Sequence, residues 1–470
     1  MTNHPNTALA ALAALGLVLS AAACESGPSA GPNGQPATAA SASSEDPTAA
    51  GQPAFRADPA CGTYGGDGCA PQSDRIDLEP PTFTNPTEIT NPVFPIAELE
   101  SAVLTGVVDD LPFRSETTLL PYTGTVVIDG QPVEVLLSQY TAYLDGRITE
   151  VAVDRYAQAD DGSVWYLGED VYDYEAGAIV VSEGTWLAGR DGPPAMIMPG
   201  DPQVGQVFRP EDIPGIVFEE VTIKEVDQTV DGPLGPVEGA IVAEELHLDG
   251  STSEKVFAPG YGEFYSASDT EEEALALAIP VNRVDEPEPV ELAKIVTGTW
   301  GLVESARLEE WEAVDATLAL IEEHWATVSA SPTPSRIADT LADALVTLTE
   351  ATATKEAGPI TDAAVEVAQS ALDLELRHRS VAYVDLGRFH LHTQQLRIDA
   401  GTGDAPGLTA EIATLEWIRD RIAGRFTPGE LQQVDDHLAD LRVAASSGDL
   451  AAAADQAARL GNLVRTLSLA

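Results

Sequence analysis

The alternation of hydrophobic and polar positions divides the chain into four stretches. Residues 8–23 (ALAALAALGLVLSAAA) are continuously apolar and uncharged. That run is shorter than the roughly 20 residues of a spanning helix and matches a secretory h-region. From residue 25 to about 60 the chain (ESGPSAGPNGQPATAASASSEDPTAAGQPAFRADPA) holds almost no large apolar side chain, which predicts a disordered tether. Between about 91 and 278, runs of Val, Ile, Tyr, Trp and Thr are broken by turn signals, the pattern of antiparallel strands. "IDGQPVEV", "YLDGRITEVAV", "AQADDGSVWYL" and "HLDGSTSEKV" each set Asp-Gly between two such runs and predict hairpins. The stretch 147–189 reads as a meander of three or four strands, with Tyr156, Trp165, Tyr166, Tyr172, Tyr174 and Trp186 on neighbouring strands.

After "PVNRVDEPEP" (280–289) the period changes to that of amphipathic helices rich in Ala and Leu. Joints near Leu308, Glu356, Asp404 and Asp449 recur at near-equal intervals and predict four helical hairpins, as bundles or a short solenoid. The expected fold class is α+β with two domains: an antiparallel β-meander or half-barrel, then an all-α helical-hairpin repeat or bundle. The expected boundaries are a signal peptide at 1–23, a lipidated cysteine and disordered tether at 24–81, the β-domain at 82–284 and the helical-hairpin domain at 285–470.

Ala21, Ala22 and Ala23 lead directly into Cys24, where a bacterial lipoprotein signal places the thiol that receives diacylglycerol. The stretch resembles a lipobox, although residues 1–7 (MTNHPNT) carry no Lys or Arg. The resemblance implies a protein anchored by lipid at Cys24 on the extracytoplasmic face of the cell membrane. With Cys24 so used, Cys61 and Cys69 in "CGTYGGDGC" remain as an even pair, which suggests one disulfide in an oxidising compartment.

Charge narrows the function classes. The formal net charge is -52, and Lys224, Lys255, Lys294 and Lys355 are the only lysines. No basic stripe exists for a nucleic acid, and such a field repels anionic headgroups, so membrane attachment falls to acyl chains.

"DRYAQADDGSVWYLGEDVYDYEAG", "GTWLAGRDGPPAMIMPGDPQVGQVFR" and "KVFAPGYGEFY" resemble the core of an uncharacterised family of secreted bacterial β-proteins. The closing "APGYG" is similar, at the level of fold, to half-barrel sheets of bacterial lipid-handling lipoproteins. These resemblances imply architecture and export and carry over no catalytic residue.

There is no GxSxG nucleophile turn, the string GPSAG (27–31) lying within the tether, and HExxH, P-loop and CxxC motifs are absent. "GTGDAPG" (401–407) lies between helices, where a joint explains it, and "QADDGSVWYLGED" lacks the ligand spacing of a calcium loop. Glu375 with His378, and His437 with Asp440, share helix faces, but a bundle metal site needs matching steps from facing helices. His390 and His392 are two apart on a helix and face different ways. His247 reads as an exposed strand residue, and Trp300, Trp311, Trp325 and Trp417 read as helix core. No metal or cofactor is expected.

The sequence therefore points to a non-catalytic, lipid-anchored extracytoplasmic protein that binds an amphipathic ligand, an envelope component or a protein partner. Trp165 and Tyr166, adjacent on one strand, are the candidate ligand contacts, one of the two lining an apolar groove. The alternatives are an envelope hydrolase with a carboxylate pair of no recognisable motif, and a structural envelope spacer. A pocket holding two close carboxylates would favour the hydrolase, and an apolar groove the amphiphile.

Overall fold

A computed structural model describes residues 68–182 and 184–467. Cys24, Cys61, the expected signal peptide and most of the expected tether lie outside the described residues. Cys69 lies inside them and is disulfide-bonded. Among the described residues, fourteen strands precede eight α-helices. The strands are β1 (Ser101–Val108), β2 (Leu111–Ile128), β3 (Gln131–Leu144), β4 (Arg147–Gln158), β5 (Val164–Glu175), β6 (Ala178–Val181), β7 (Trp186–Leu187), β8 (Ala195–Met198), β9 (Val207–Ile213), β10 (Val217–Gly232), β11 (Gly235–His247), β12 (Thr252–Ala258), β13 (Gly262–Ala267) and β14 (Glu271–Ile279). The helices are α1 (Val290–Arg307), α2 (Trp311–Val328), α3 (Ser335–Thr354), α4 (Ala357–Glu375), α5 (Val381–Thr402), α6 (Ala405–Ile422), α7 (Pro428–Ser447) and α8 (Leu450–Val464).

The strands form one open antiparallel sheet in the order β6-β5-β4-β3-β2-β1-β14-β13-β12-β11-β10-β9, with β7 and β8 both paired to β5. The Asp-Gly pairs make the turns. Asp129 with Gly130 and Asp145 with Gly146 have positive φ at both positions, the geometry that keeps the twist of the flanking strands continuous. The two ends of the strand order come together where the Trp186 indole on β7 donates to Glu211 on β9 at 2.6 Å.

Residues directly opposite in an antiparallel ladder share a face. Leu275, Leu104, Ser115, Ala142, Glu150 and Asp173 form one such row across six strands. The face bearing this row is the inner face; the opposite one, through Val103, Leu277 and Ile279, packs into a core shared with α1 to α5. The Pro-rich segment before β1 lies on the inner face. Ile89, Val93, Phe94 and Ile96 are buried in a cluster with Tyr156 and Trp186, and Phe94 meets the Tyr156 ring edge-on at 5.2 Å. Polar bonds pin the segment: Asn91 donates its amide to the Gly162 and Pro199 carbonyls, and the Gln158 side chain accepts from the Thr90 and Asn91 amides.

The helices form two four-helix units with the same internal pairing. α1 packs on α2 and α4, with α3 on α4; α5 packs on α6 and α8, with α7 on α8. The four predicted joints are the turns within the four hairpins. Trp300, Trp311 and Trp325 pack against the first helical core as expected. Trp417 instead crosses to the sheet, tilted on Tyr172 at 5.2 Å and donating to the Tyr174 hydroxyl at 2.8 Å. No helix among the described residues is long and apolar enough to cross a membrane.

Candidate functional site

The inner face carries a band of buried carboxylates that its strands align by period and register. Glu150 and Asp154 are two positions of the same face on β4, and Asp173 and Glu169 stand opposite them on β5. Glu273 on β14, Glu263 on β13, Glu245 with His247 on β11, Glu219 on β10 and Glu211 on β9 continue the band. Apart from the partly buried Glu263, every one of these acids is buried, Asp154 fully. One lysine, Lys255 on β12, accompanies them, 2.8 Å from Glu263 and 3.6 Å from Glu245.

Burial of so many carboxylates with one ammonium raises the proton affinity of most of them. Burial, and then the neighbouring Asp173 and Glu169, push Glu150 well above the usual carboxylate range. Asp154 is pushed up to about 6 by burial, partly offset by hydrogen bonds from the Tyr166 and Ser138 hydroxyls at 2.7 and 3.1 Å. Burial and then Asp154 bring Glu169 to about 8. Burial and then Glu263 bring Glu273 to about 8, against a hydrogen bond from the Ser115 hydroxyl. Lys255 behaves oppositely: burial disfavours its charge, but Glu263 and Glu245 outweigh that and hold it above its ordinary value.

A small pocket of about 50 Å³ opens onto this band. Phe94, Leu99, Leu104 and Tyr261 give it apolar walls, and Ser115, Glu263 and Glu273 supply its polar groups. A larger recess of about 530 Å³ lies between the β5–β6 hairpin and helices α6 and α7, walled by Ile179, Ile412 and Val443. The charges beside it, Glu416 and Arg442, are paired with each other, so no free polar group there selects a ligand.

The predicted ligand contacts sit elsewhere. Trp165 and Tyr166 are both buried in the cluster that holds Ile89 and Phe94, and neither is among the residues lining the small pocket. The Trp165 indole donates to Ser163 at 2.8 Å, while Tyr166 stacks on Tyr156 and meets Trp186 edge-on.

His247 is a correction: it is 5% exposed, not a surface residue. Its strand is covered on the inner face because the sheet curls, a tertiary effect that no local pattern carries. The helical histidines are dispersed. His390 lies against Trp300, whereas His392 stacks on Tyr143 and bonds Glu411 at 2.7 Å. His378 bonds the Glu286 carbonyl, and His437 shares Gln456 with Asp440. The missed signal was the even spacing of polar residues on one strand face, four positions from Glu150 to Asp154 and from Glu169 to Asp173 and two from Glu245 to His247, on strands whose other face is largely apolar.

Compared with known families and curated proteins, the chain matches no family model and no curated protein.

Proposed function

We propose that the protein is an extracytoplasmic, lipid-anchored binding protein whose sheet accepts the cationic end of an amphipathic ligand, an amine, in the pocket at Glu273. The observation that carries this reading is a buried carboxyl, its proton affinity raised by that burial, at an apolar-walled pocket within a band where acids far outnumber bases. A bound ammonium supplies the missing countercharge, so Glu273 gives up its proton as the ligand enters. The adjacent Phe94 and Tyr261 rings offer apolar contact to the alkyl part and π-faces to the charge. A volume of about 50 Å³ is far below the roughly 300 Å³ of an ordinary ligand site, so the pocket receives an end group and not a whole acyl chain. Anchoring through Cys24 belongs to the same reading and rests on the lipobox-like junction.

Calorimetry on the full chain with n-hexylamine, hexanol and hexanoate tests the reading. Hexylamine is expected to bind saturably at pH 7 with proton release, the other two not, and Glu273→Gln is expected to weaken the amine at least tenfold. Equal binding of all three, or no amine binding at millimolar concentration, overturns it. For the anchor, Cys24→Ser is expected to move the exported protein from the membrane to the soluble fraction; unchanged membrane retention refutes that part.

A carboxylate-pair hydrolase is the second reading, favoured by Glu273, pushed up to about 8, standing beside a Glu263 paired to Lys255, although burial raises Glu263 as well. An acid and a base with separated proton affinities is the arrangement such chemistry uses. Against it stands the pocket volume, too small to enclose a scissile sugar or ester with its leaving group. Turnover of chromogenic glycosides or esters that vanishes in Glu273→Gln would favour this reading.

A further inference from the structure

At the β9 end of the sheet, joined to the amine pocket's Glu263 through Lys255, three side chains converge. Glu245 and His247 are two apart on β11 and so share a face, and Glu219 on β10 stands directly opposite His247 in the ladder. One donor atom from each lies within 4.8 Å of the other two. His247 Nδ1 is 3.9 Å from Glu219 Oε1, and its Nε2 is 3.9 Å from Glu245 Oε2. All three residues are at least nine-tenths buried, at 3%, 4% and 5% exposure for Glu219, Glu245 and His247. His247 Nδ1 lacks a hydrogen-bond partner, whereas a protonated Glu219 hydrogen-bonds Glu245.

A buried nitrogen left unsatisfied costs free energy. A proton shared by the two carboxyls still leaves His247 Nδ1 without a partner, whereas a cation satisfies all three. The second nitrogen of His247 already has an anchor: Nε2 lies 3.0 Å from the Ser253 hydroxyl. With Nε2–H donating to Ser253, the Nδ1 lone pair points to the cluster, which is how metal-binding imidazoles are oriented by an outer partner. Glu211, next in the row beyond Glu219, is engaged instead with Glu169.

We propose that Glu219, Glu245 and His247 form a binding site for one divalent transition-metal ion of the Zn²⁺ type. One imidazole with two carboxylates is a borderline donor set; Mg²⁺ and Ca²⁺ take all-oxygen shells of higher coordination, while Zn²⁺ accepts three such ligands and keeps a position open. Zinc bonds of roughly 2.0–2.2 Å at tetrahedral angles put ligand atoms about 3.4 Å apart, so the present separations of up to 4.8 Å close within side-chain reach. Lys255 does not block the site. It keeps Glu263 at 2.8 Å as its nearer partner and releases Glu245, at 3.6 Å, to the metal. Access comes from the β11–β12 turn, because His247 immediately precedes the exposed Leu248 and Asp249.

Titration of the EDTA-treated full chain with Co²⁺, followed in the visible d–d region, and with Zn²⁺ by calorimetry and thermal shift tests the site. One equivalent of each ion is expected to bind, with Zn²⁺ displacing Co²⁺ and raising the melting temperature. His247→Ala is expected to lower affinity at least 100-fold and abolish the tetrahedral Co²⁺ spectrum. Ser253→Ala, which keeps every ligand, is expected to lower it about 10- to 100-fold and serves as the readout if His247→Ala does not fold. Hexylamine binding is expected to persist in Ser253→Ala, which separates failure of this site from failure of the amine pocket. Absence of stoichiometric binding, or a Co²⁺ spectrum and affinity unchanged by both substitutions, overturns the proposal.

Discussion

Arg388 on α5 and Glu116 on β2 meet at 3.2 Å with side chains 0% and 2% exposed, an ion pair buried between helices and sheet. It belongs to a closed set of three arginines and three acids. Arg388 also binds Asp373 and Asp385, Arg421 binds Glu116 and Asp385, and Arg114 binds Glu116 and Asp373. Burial disfavours the Glu116 charge, but Arg388, Arg114 and Arg421 outweigh it and hold the carboxyl well below its ordinary value. Removing one partner from such a set strands a buried charge, at a cost of about 3–5 kcal/mol. Arg388→Ala is therefore expected to lose about that much stability in urea unfolding. Because the network and the core around Val103, Leu277 and Ile279 join both halves, far-UV dichroism and tryptophan fluorescence are expected to report one coincident transition. Two separate transitions in the unsubstituted chain would show that the interface is weaker than its burial implies.

The β5–β6 turn is a second place where sheet and helices depend on each other. Gly177 has φ +76, and a Cβ there would stand 2.2 Å from the Ala410 backbone nitrogen and 2.7 Å from the Pro406 carbonyl oxygen of α6. Neither obstacle is a movable side chain. Gly177→Ala is expected to destabilise by about 1–3 kcal/mol through steric displacement and positive-φ strain. A loss below about 0.5 kcal/mol in chemical denaturation would mean that the hairpin does not hold this contact in solution.

Local signals carried much of the fold. The Asp-Gly turns, the meander that became β4 to β7, the breaker between Ile279 and Val290 and the four helical joints all depend on short-range chemistry, and all lie where the pattern placed them. The site was hidden because its determinants are long-range. Polar positions alternating with apolar ones ordinarily face water, which is how His247 reads, and nothing local marks Glu150, Asp154 or Glu169 as interior. In the folded chain helices cover one face of the sheet, and the segment 89–99 with the curl of the sheet covers the other. Both sets of alternating positions then become interior. The same covering places Ile89, Val93 and Phe94 where a groove was expected, and it turns Trp165 and Tyr166 into packing residues.

Those two aromatic residues differ in what their loss exposes. Trp165→Ala removes a large buried ring, 3% exposed, and is expected to cost about 3–5 kcal/mol. Tyr166→Phe keeps the ring stacked on Tyr156 and deletes only the hydroxyl that donates to Asp154 at 2.7 Å. Its expected cost is about 1–2 kcal/mol. It should also raise the Asp154 proton affinity further, since that hydrogen bond lowers it. Urea midpoints measure the first effect and carboxyl-resolved NMR titration the second. An Asp154 titration unmoved by Tyr166→Phe would count against the bond.

The buried carboxylates give stability a pH dependence opposite in sign to that of the ion-pair network. Glu273 and Glu375 are pushed up to about 8, chiefly by burial, and Asp154 to about 6, from ordinary values of 4.5 and 3.8. Unfolding lets each of them ionise near its ordinary value, so between that value and the raised one the native state binds more protons than the unfolded state. Stability contributed by these groups is fully present below about 4 and is lost as pH rises towards 8, at up to about 1.4 kcal/mol per pH unit for each group. Glu116 acts in the other direction: its folded value is depressed, so its contribution is present above 4.5 and is lost as pH falls. A stability maximum near pH 5 is expected for metal-free protein without amine. Urea midpoints at pH 4, 5, 6.5 and 8 in EDTA measure it, and Glu273→Gln, which carries no titrating carboxyl, is expected to flatten the alkaline limb. Stability rising from pH 5 to 8 would mean that the inner-face carboxylates are ionised in the folded protein.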